Sequence, residues 1–265
     1  TKKIITVEIE NINHVHQVLT ENLKERCLGL LEQNKLVGIL GGEQSVALGL
    51  IQALNDRYDD FGVLHIDAHA DLKVEYLGFE QSHASIMRNV LNTCANMSKL
   101  IQVGVRELSE AEFEFSKEEN RVNTYFDWAI KKDILNGKSW LEIIREIIDE
   151  MPNDIYISFD IDGLKPYLCP NTGTPVAGGF EINEIYNVIR ISEELKNTNI
   201  MGFMGMATFT SDKELINKEF NNLNKIYKQK KSIKLNTLSM GMSNDYSIAI
   251  KNGSTMIRLG SSIFE

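Results

Sequence analysis

The chain has 265 residues, 43% of them hydrophobic, and a formal net charge of -9. That length and apolar content allow a large buried core, and the acidic balance argues against nucleic acid as the main partner. Cys27, Cys94 and Cys169 lie far apart without a C-x-x-C pair, which reads as reduced thiols in a cytoplasmic protein. No apolar run is long enough to span a bilayer and no leader peptide stands out, so a membrane partner is not expected.

Taken in chain order, the expected strands are "IITVEI" (4–9), "LVGILG" (36–41), "FGVLHID" (61–67), "KLIQVGV" (99–105), "IYISFDI" (155–161), "IMGFMGM" (200–206), "LNTLSM" (235–240) and "TMIRLG" (255–260). Helices are expected at about 14–33, 44–57, 81–94, 139–150, 181–196, 211–229 and 244–252. The stretch "SWLEIIREIIDE" repeats apolar residues at helical spacing, with Ser139 as N-cap and Glu142 completing a capping box. The basic run "KQKKSIK" (228–234) reads as a solvated helix end. Short apolar strands alternating with helices predict an α/β fold with a mainly parallel sheet of about eight strands and helices on both faces. In such folds ligands collect at the carboxyl ends of strands.

Two strand ends carry chemistry. "LHIDAHADL" (64–72) places Asp67, His69 and Asp71 two apart, directly after an apolar run. Alternate side chains of an extended chain share a face, so the three converge on one point, and Asp and His are usual ligands of divalent cations. "SFDID" (158–162) repeats the pattern with Asp160 and Asp162. A solvated strand end explains either pair alone, but poorly explains both together with His69. The set suggests a two-metal site, with ions roughly 3.5–4 Å apart activating a shared water. Mixed carboxylate and imidazole donors suit manganese better than a thiolate-rich zinc site does.

"GGEQS" (41–45), "DAHAD" (67–71), "SHAS" (82–85), "SFDIDGLKP" (158–166) and the loop "LCPNTGTPVAGG" (168–179) resemble, in order and spacing, the signature blocks of the ureohydrolase family of arginase, agmatinase and formimidoylglutamase. The resemblance covers about residues 20–180. It implies an arginase-like α/β/α fold, a binuclear manganese centre and hydrolysis of a guanidino or formimino C–N bond. It also implies metal ligation by Asp67, His69, Asp71, Asp160 and Asp162, with Asp67 and Asp160 bridging, and proton transfer by His83. The small-molecule substrate would be of the guanidino type, and a homo-oligomer is left open. Two positions depart from the pattern. Gln44 stands where the family has a ligating histidine, and a carbonyl oxygen is a weaker ligand than imidazole. Lys165 stands where an aspartate is usual.

The last third carries a different resemblance. "LSMGMS" (238–243) and "STMIRLGSSIF" (254–264) resemble the C-terminal part of the pyridoxal-phosphate homeostasis family, a (β/α)8 barrel. That implies weak pyridoxal phosphate binding through Ser239, Ser243, Arg258, Gly260 and Ser261. A Schiff-base lysine on a matching first strand is missing, since Lys2 and Lys3 lack its context. No glutamate that would clamp a cationic substrate follows residue 180 in the expected place. The chain therefore reads as a single α/β domain over 1–265, with a ureohydrolase-like part (1–180) and a pyridoxal-phosphate-barrel-like part (181–265). A recombined or engineered chimera is the expected origin, with a strongly diverged natural ureohydrolase as the alternative. The expected function is a weakened or inactive ureohydrolase-like enzyme. The other readings are a non-catalytic phosphate- or pyridoxal-phosphate-binding protein and a hybrid without activity.

Overall fold

The computed structural model describes residues 2–39, 43–185, 187, 202–208, 210–230 and 236–258. Contacts divide the chain into two compact units, Thr1–Val188 and Ile189–Glu265. Gly41 and Gly42 of the "GGEQS" block, and Gly260 and Ser261, lie outside the described residues.

The first unit is built on four parallel strands, β1 (Phe61–Ile66), β2 (Met97–Val105), β3 (Val122–Phe126) and β4 (Ile155–Phe159), in the order β3-β2-β1-β4. The β1 strand is buried at all six positions, as a central parallel strand covered on both faces must be. Phe61 and Val63 join one apolar cluster with Leu48 and Ile51 of α2 (Leu48–Arg57) and with Met87, Val90 and Leu91 of α3 (Ile86–Thr93). The strand order turns back between β1 and β4, which opens a crevice at their carboxyl ends.

The first expected strand is a correction. Residues 4–9 belong to α1, a helix running over Lys2–Leu31. β-Branched residues resist a helix only weakly, and α1 is held by tertiary contacts. Asn13 Nδ2 donates to Gly78 O (3.1 Å), Thr20 Oγ1 donates to Gln81 Oε1 (3.0 Å), and the helix packs along α2. Residues 35–39 form no strand either. Val37 and Ile39 are pinned to the cluster of Cys27, Leu31, Leu50 and Ala53, while Leu36 is fully exposed. Three elements arise where none was expected: α4 (Glu110–Glu118), β3 and α5 (Asp127–Leu135). The helix α6 (Trp140–Asp149) follows the capping box as read, Ser139 Oγ accepting from Glu142 N at 3.2 Å.

In the second unit β5 (Gly202–Met204) and β6 (Thr237–Ser239) pair in parallel, packed with α7 (Lys213–Lys230) and α8 (Tyr246–Lys251) through Ile216, Phe220, Tyr227, Leu238 and Ala249. Residues 255–258 form no strand beyond a single bridge between Ser239 and Met256. The described residues thus hold a four-stranded and a two-stranded parallel sheet, not one sheet of about eight strands.

Candidate metal centre

The segment 67–72 leaves β1 under backbone control from three sides. Asp67 N–H donates to Val103 O (3.2 Å), Arg106 N–H to Ala68 O (2.8 Å) and Met87 N–H to Asp71 O (3.1 Å). Gln102 Nε2 donates to Ala70 O at 2.6 Å. The buried Glu112 carboxylate of α4 accepts from Leu72 N–H (3.1 Å) and Lys73 Nζ (2.7 Å). Asp71 sits at φ 55, a left-handed conformation that Asp tolerates better than most residues. On the neighbouring strand, Asp160 N–H donates to Ile66 O (2.9 Å) and Asp162 N–H to Asp160 Oδ1 (3.0 Å). Gly104 of β2 packs beside Phe180 and the Asp67 carbonyl. Its φ is +95, and an added Cβ would lie 2.4 Å from the Phe180 ring, so only glycine fits the β2 bulge.

These constraints bring the sequence-derived residues together. Asp67, His69, Asp71, Asp160, Asp162 and Gln44 line one cavity of about 340 Å³. His69 Nδ1 lies 3.3 Å from Asp67 Oδ1 and 3.2 Å from Asp162 Oδ2. Asp67, Asp71 and Asp162 are buried. Burial alone would raise the Asp67 carboxyl, but hydrogen bonds from His65 and His69 outweigh it and hold it well below the usual carboxylate range. Burial, joined by the charge of Asp67, pushes the Asp71 and Asp160 carboxyls up. The His69 imidazole, hydrogen-bonded to Asp162 and then Asp67, is pushed up to about 10.

The donor set fits a first-row divalent ion. Octahedral ligands at roughly 2.1 Å stand roughly 3 Å apart, close to the two spacings around His69 Nδ1. Asp67, His69 and Asp162 each offer an atom to such an ion, and His65, Asp67 and Asp71 form a second trio of donor atoms. Asp160 lines the same cavity, with Oδ1 turned to the Asp162 amide.

His83 also lines the cavity but is half exposed, with Nδ1 3.9 Å from Glu43 Oε2 and its ring edge-on to Tyr76. Lys165 pairs with Glu181 at 2.8 Å, and Tyr167 donates to the same carboxylate, so its charge is met there. Ser239 is buried at the end of β6 and accepts from Arg258 Nη1 at 2.6 Å, while Arg258 Nη2 donates to Gly205 O. Ser243 lies in the turn before α8.

Three further residues around the cluster carry little signal in the sequence. His65 is fully buried, and its Nε2 lies 3.0 Å from Asp67 Oδ2. Its signal was a histidine inside an apolar strand, two residues before Asp67 and therefore on the same face. Gln102 holds His65 from β2 at 3.1 Å. Arg106 donates to the carbonyls of Asp162 (2.7 Å), Leu164 and Val176, tying the second acidic strand end to the loop behind it.

The arginase family model matches residues 2–207. The N(1)-aminopropylagmatine ureohydrolase of Thermus thermophilus is 31% identical over 185 residues, covering 70% of this chain and 59% of that protein. The agmatinase of Bacillus cereus is 31% identical over 181 residues, covering 68% and 58%. The chain spans about three fifths of the length of these curated relatives. Among solved structures, the arginase from Bacillus cereus superposes with a TM-score of 0.59 at 23% identity, covering 70% of this chain and 67% of that one, a likeness of fold alone. A putative agmatinase from Clostridium difficile gives 0.55 at 26%, covering 69% and 60%. None of these relatives supports a chimeric junction or a pyridoxal-phosphate segment. With the matched family extending over most of the chain, and the parallel α/β sheet in agreement, the chain belongs to the arginase family.

Proposed function

We propose that this chain is a metal-dependent, ureohydrolase-like hydrolase that acts slowly on the C–N bond of a small guanidino or formimino substrate, with manganese as the metal. The observation that carries the reading is the spacing of Asp67, His69 and Asp162 around a single point at the strand ends. The names of the relatives, agmatinase and N(1)-aminopropylagmatine ureohydrolase, support a guanidino substrate.

Asp67, His69, Asp160 and Asp162 would hold the ion, which when bound supplies Lewis-acid activation of water. The buried carboxylates and the exposed Glu107 make the cavity attractive to a planar cation. His83, on the exposed side and close to Glu43, is placed to pass a proton to the departing amine. Asp67 serves catalysis by fixing His69, accepting from its backbone N–H at 2.7 Å. A slow rate follows from Gln44 in place of an imidazole. Loss of one electrostatic contact typically costs about 10²–10³ in rate. The function uses none of Ser239, Ser243 or Arg258.

The test is release of urea from agmatine and arginine, and of formamide from a formimino compound, by purified protein with manganese. Slow turnover that disappears in His69→Ala and Asp162→Asn supports the proposal. Turnover unchanged in both variants, or absent from the parent chain at every manganese concentration, contradicts it.

A further inference from the structure

The two trios of donor atoms differ in what faces them. Around His69 the neighbours are carboxylate oxygens. In the trio of His65, Asp67 and Asp71 the histidine stands as a donor beside the two carboxylates. Thr124 Oγ1 donates to Gln102 Oε1 (3.1 Å), which turns Gln102 Nε2 toward Ala70 O (2.6 Å) and His65 Nδ1 (3.1 Å). His65 Nδ1 is thereby an acceptor, so its hydrogen sits on Nε2. That hydrogen points to Asp67 Oδ2, 3.0 Å away.

Gln44 completes the pattern. One orientation of its amide suits its neighbours: the nitrogen donates to Asp67 Oδ2 (3.1 Å) and Asp71 Oδ2 (2.7 Å), while the oxygen accepts from Ser158 Oγ (3.0 Å) and shares the His65 Nε2 hydrogen (3.1 Å) with Asp67 Oδ2. The opposite orientation keeps only the contact to Ser158 and turns the oxygen toward two carboxylates. The amide nitrogen therefore bridges Asp67 and Asp71, the place that a cation shared by those two carboxylates would take. An amide nitrogen has no free lone pair to give a metal.

We propose that Gln44 fills the second metal position with its amide hydrogens, so that this member of the family holds one metal ion, at Asp67, His69 and Asp162 with Asp160 beside it. The inference rests on the metal-dependent reading above. Asp71 is then a hydrogen-bond acceptor that positions Gln44, not a metal ligand. His65 and Gln102 are positioning residues for the same bridge.

The full chain, stripped of metal and then loaded with manganese, is passed through a desalting column and its metal content measured, with electron paramagnetic resonance recorded at saturating manganese. The expected result is about one ion per chain and a spectrum of isolated manganese. Gln44→His is expected to double the content and to introduce the signature of an exchange-coupled pair. Asp71→Asn is expected to keep the single ion, and His69→Ala to lose it. Two coupled ions in the parent chain, or a single ion in both the parent chain and folded Gln44→His, overturn the role of Gln44 and leave the metal-dependent function standing. No ion in either protein overturns both. Should Gln44→His fail to fold by circular dichroism, the spectrum of the parent chain and the content of Asp71→Asn decide the matter.

Discussion

Manganese affinity should depend steeply on pH, because the metal competes with a proton on His69. In the metal-free protein the imidazole is held up to about 10 by Asp162 and Asp67. A metal ligand must be deprotonated. Removing a proton at neutral pH from a group that titrates near 10 costs roughly 4 kcal/mol, and that cost shrinks as the pH rises. The association constant should therefore increase about tenfold per pH unit between about pH 7 and pH 9. The assay is a manganese titration under nitrogen, following the free-ion paramagnetic signal at several pH values. His69→Ala should bind far more weakly and with a shallower slope. The same shift acts on stability with a definite sign. The folded value lies above the unfolded one of about 6.5, so the contribution of His69 is complete below about pH 6.5 and is lost as pH rises through about 10. Without metal, the melting temperature should fall toward alkaline pH. An affinity independent of pH across this range would mean that His69 carries no proton in the metal-free cluster, contrary to this prediction.

Other outcomes follow from individual contacts. Asp71→Asn should raise the melting temperature of the metal-free protein at neutral pH. Burial and the Asp67 charge disfavour the Asp71 carboxylate, and Asn accepts both the φ of 55 and the Gln44 hydrogen bond; a lower melting temperature would contradict this. Gly104→Ala should destabilise by about 2 kcal/mol or more in urea unfolding, since it joins a left-handed φ to a close approach to Phe180. A loss below the error of the measurement would show that β2 and the ring can shift. Glu112→Gln should cost about 2 kcal/mol, because the buried carboxylate holds both Leu72 N–H and Lys73. It should also weaken manganese binding measurably, which an isolated structural contact far from the segment 67–72 would not do.

The convergence of the acidic strand ends on one cavity was more legible in the sequence than the fold around it. Asp67, His69 and Asp71 show a period of two directly after an apolar run, and that pattern has few other physical uses. Asp160 and Asp162 repeat it on a strand that pairs with the first. The helix α6 was readable because its capping box and apolar stripe agree. By contrast "EFEFSKEEN" alternates like a strand, yet forms α4 because Ser109 and Glu112 cap each other and Glu112 is anchored to Leu72. The β-branched start of α1 misled for the opposite reason, since the helix is fixed by Gly78 and Gln81, more than sixty residues away. The strand β3 has no fully buried position, so its apolar signal is faint. His65 and Gln102 were missed because a buried polar side chain within an apolar strand reads as an interruption until its partner on the next strand is known.

The most direct test of the account is a crystal of the full chain grown with manganese and measured at the metal's absorption edge. One anomalous peak is expected, within bonding distance of His69 Nδ1, Asp67 and Asp162, with the Gln44 amide still lying between Asp67 and Asp71. A peak between Asp67 and Asp71, or no peak at His69, would contradict it.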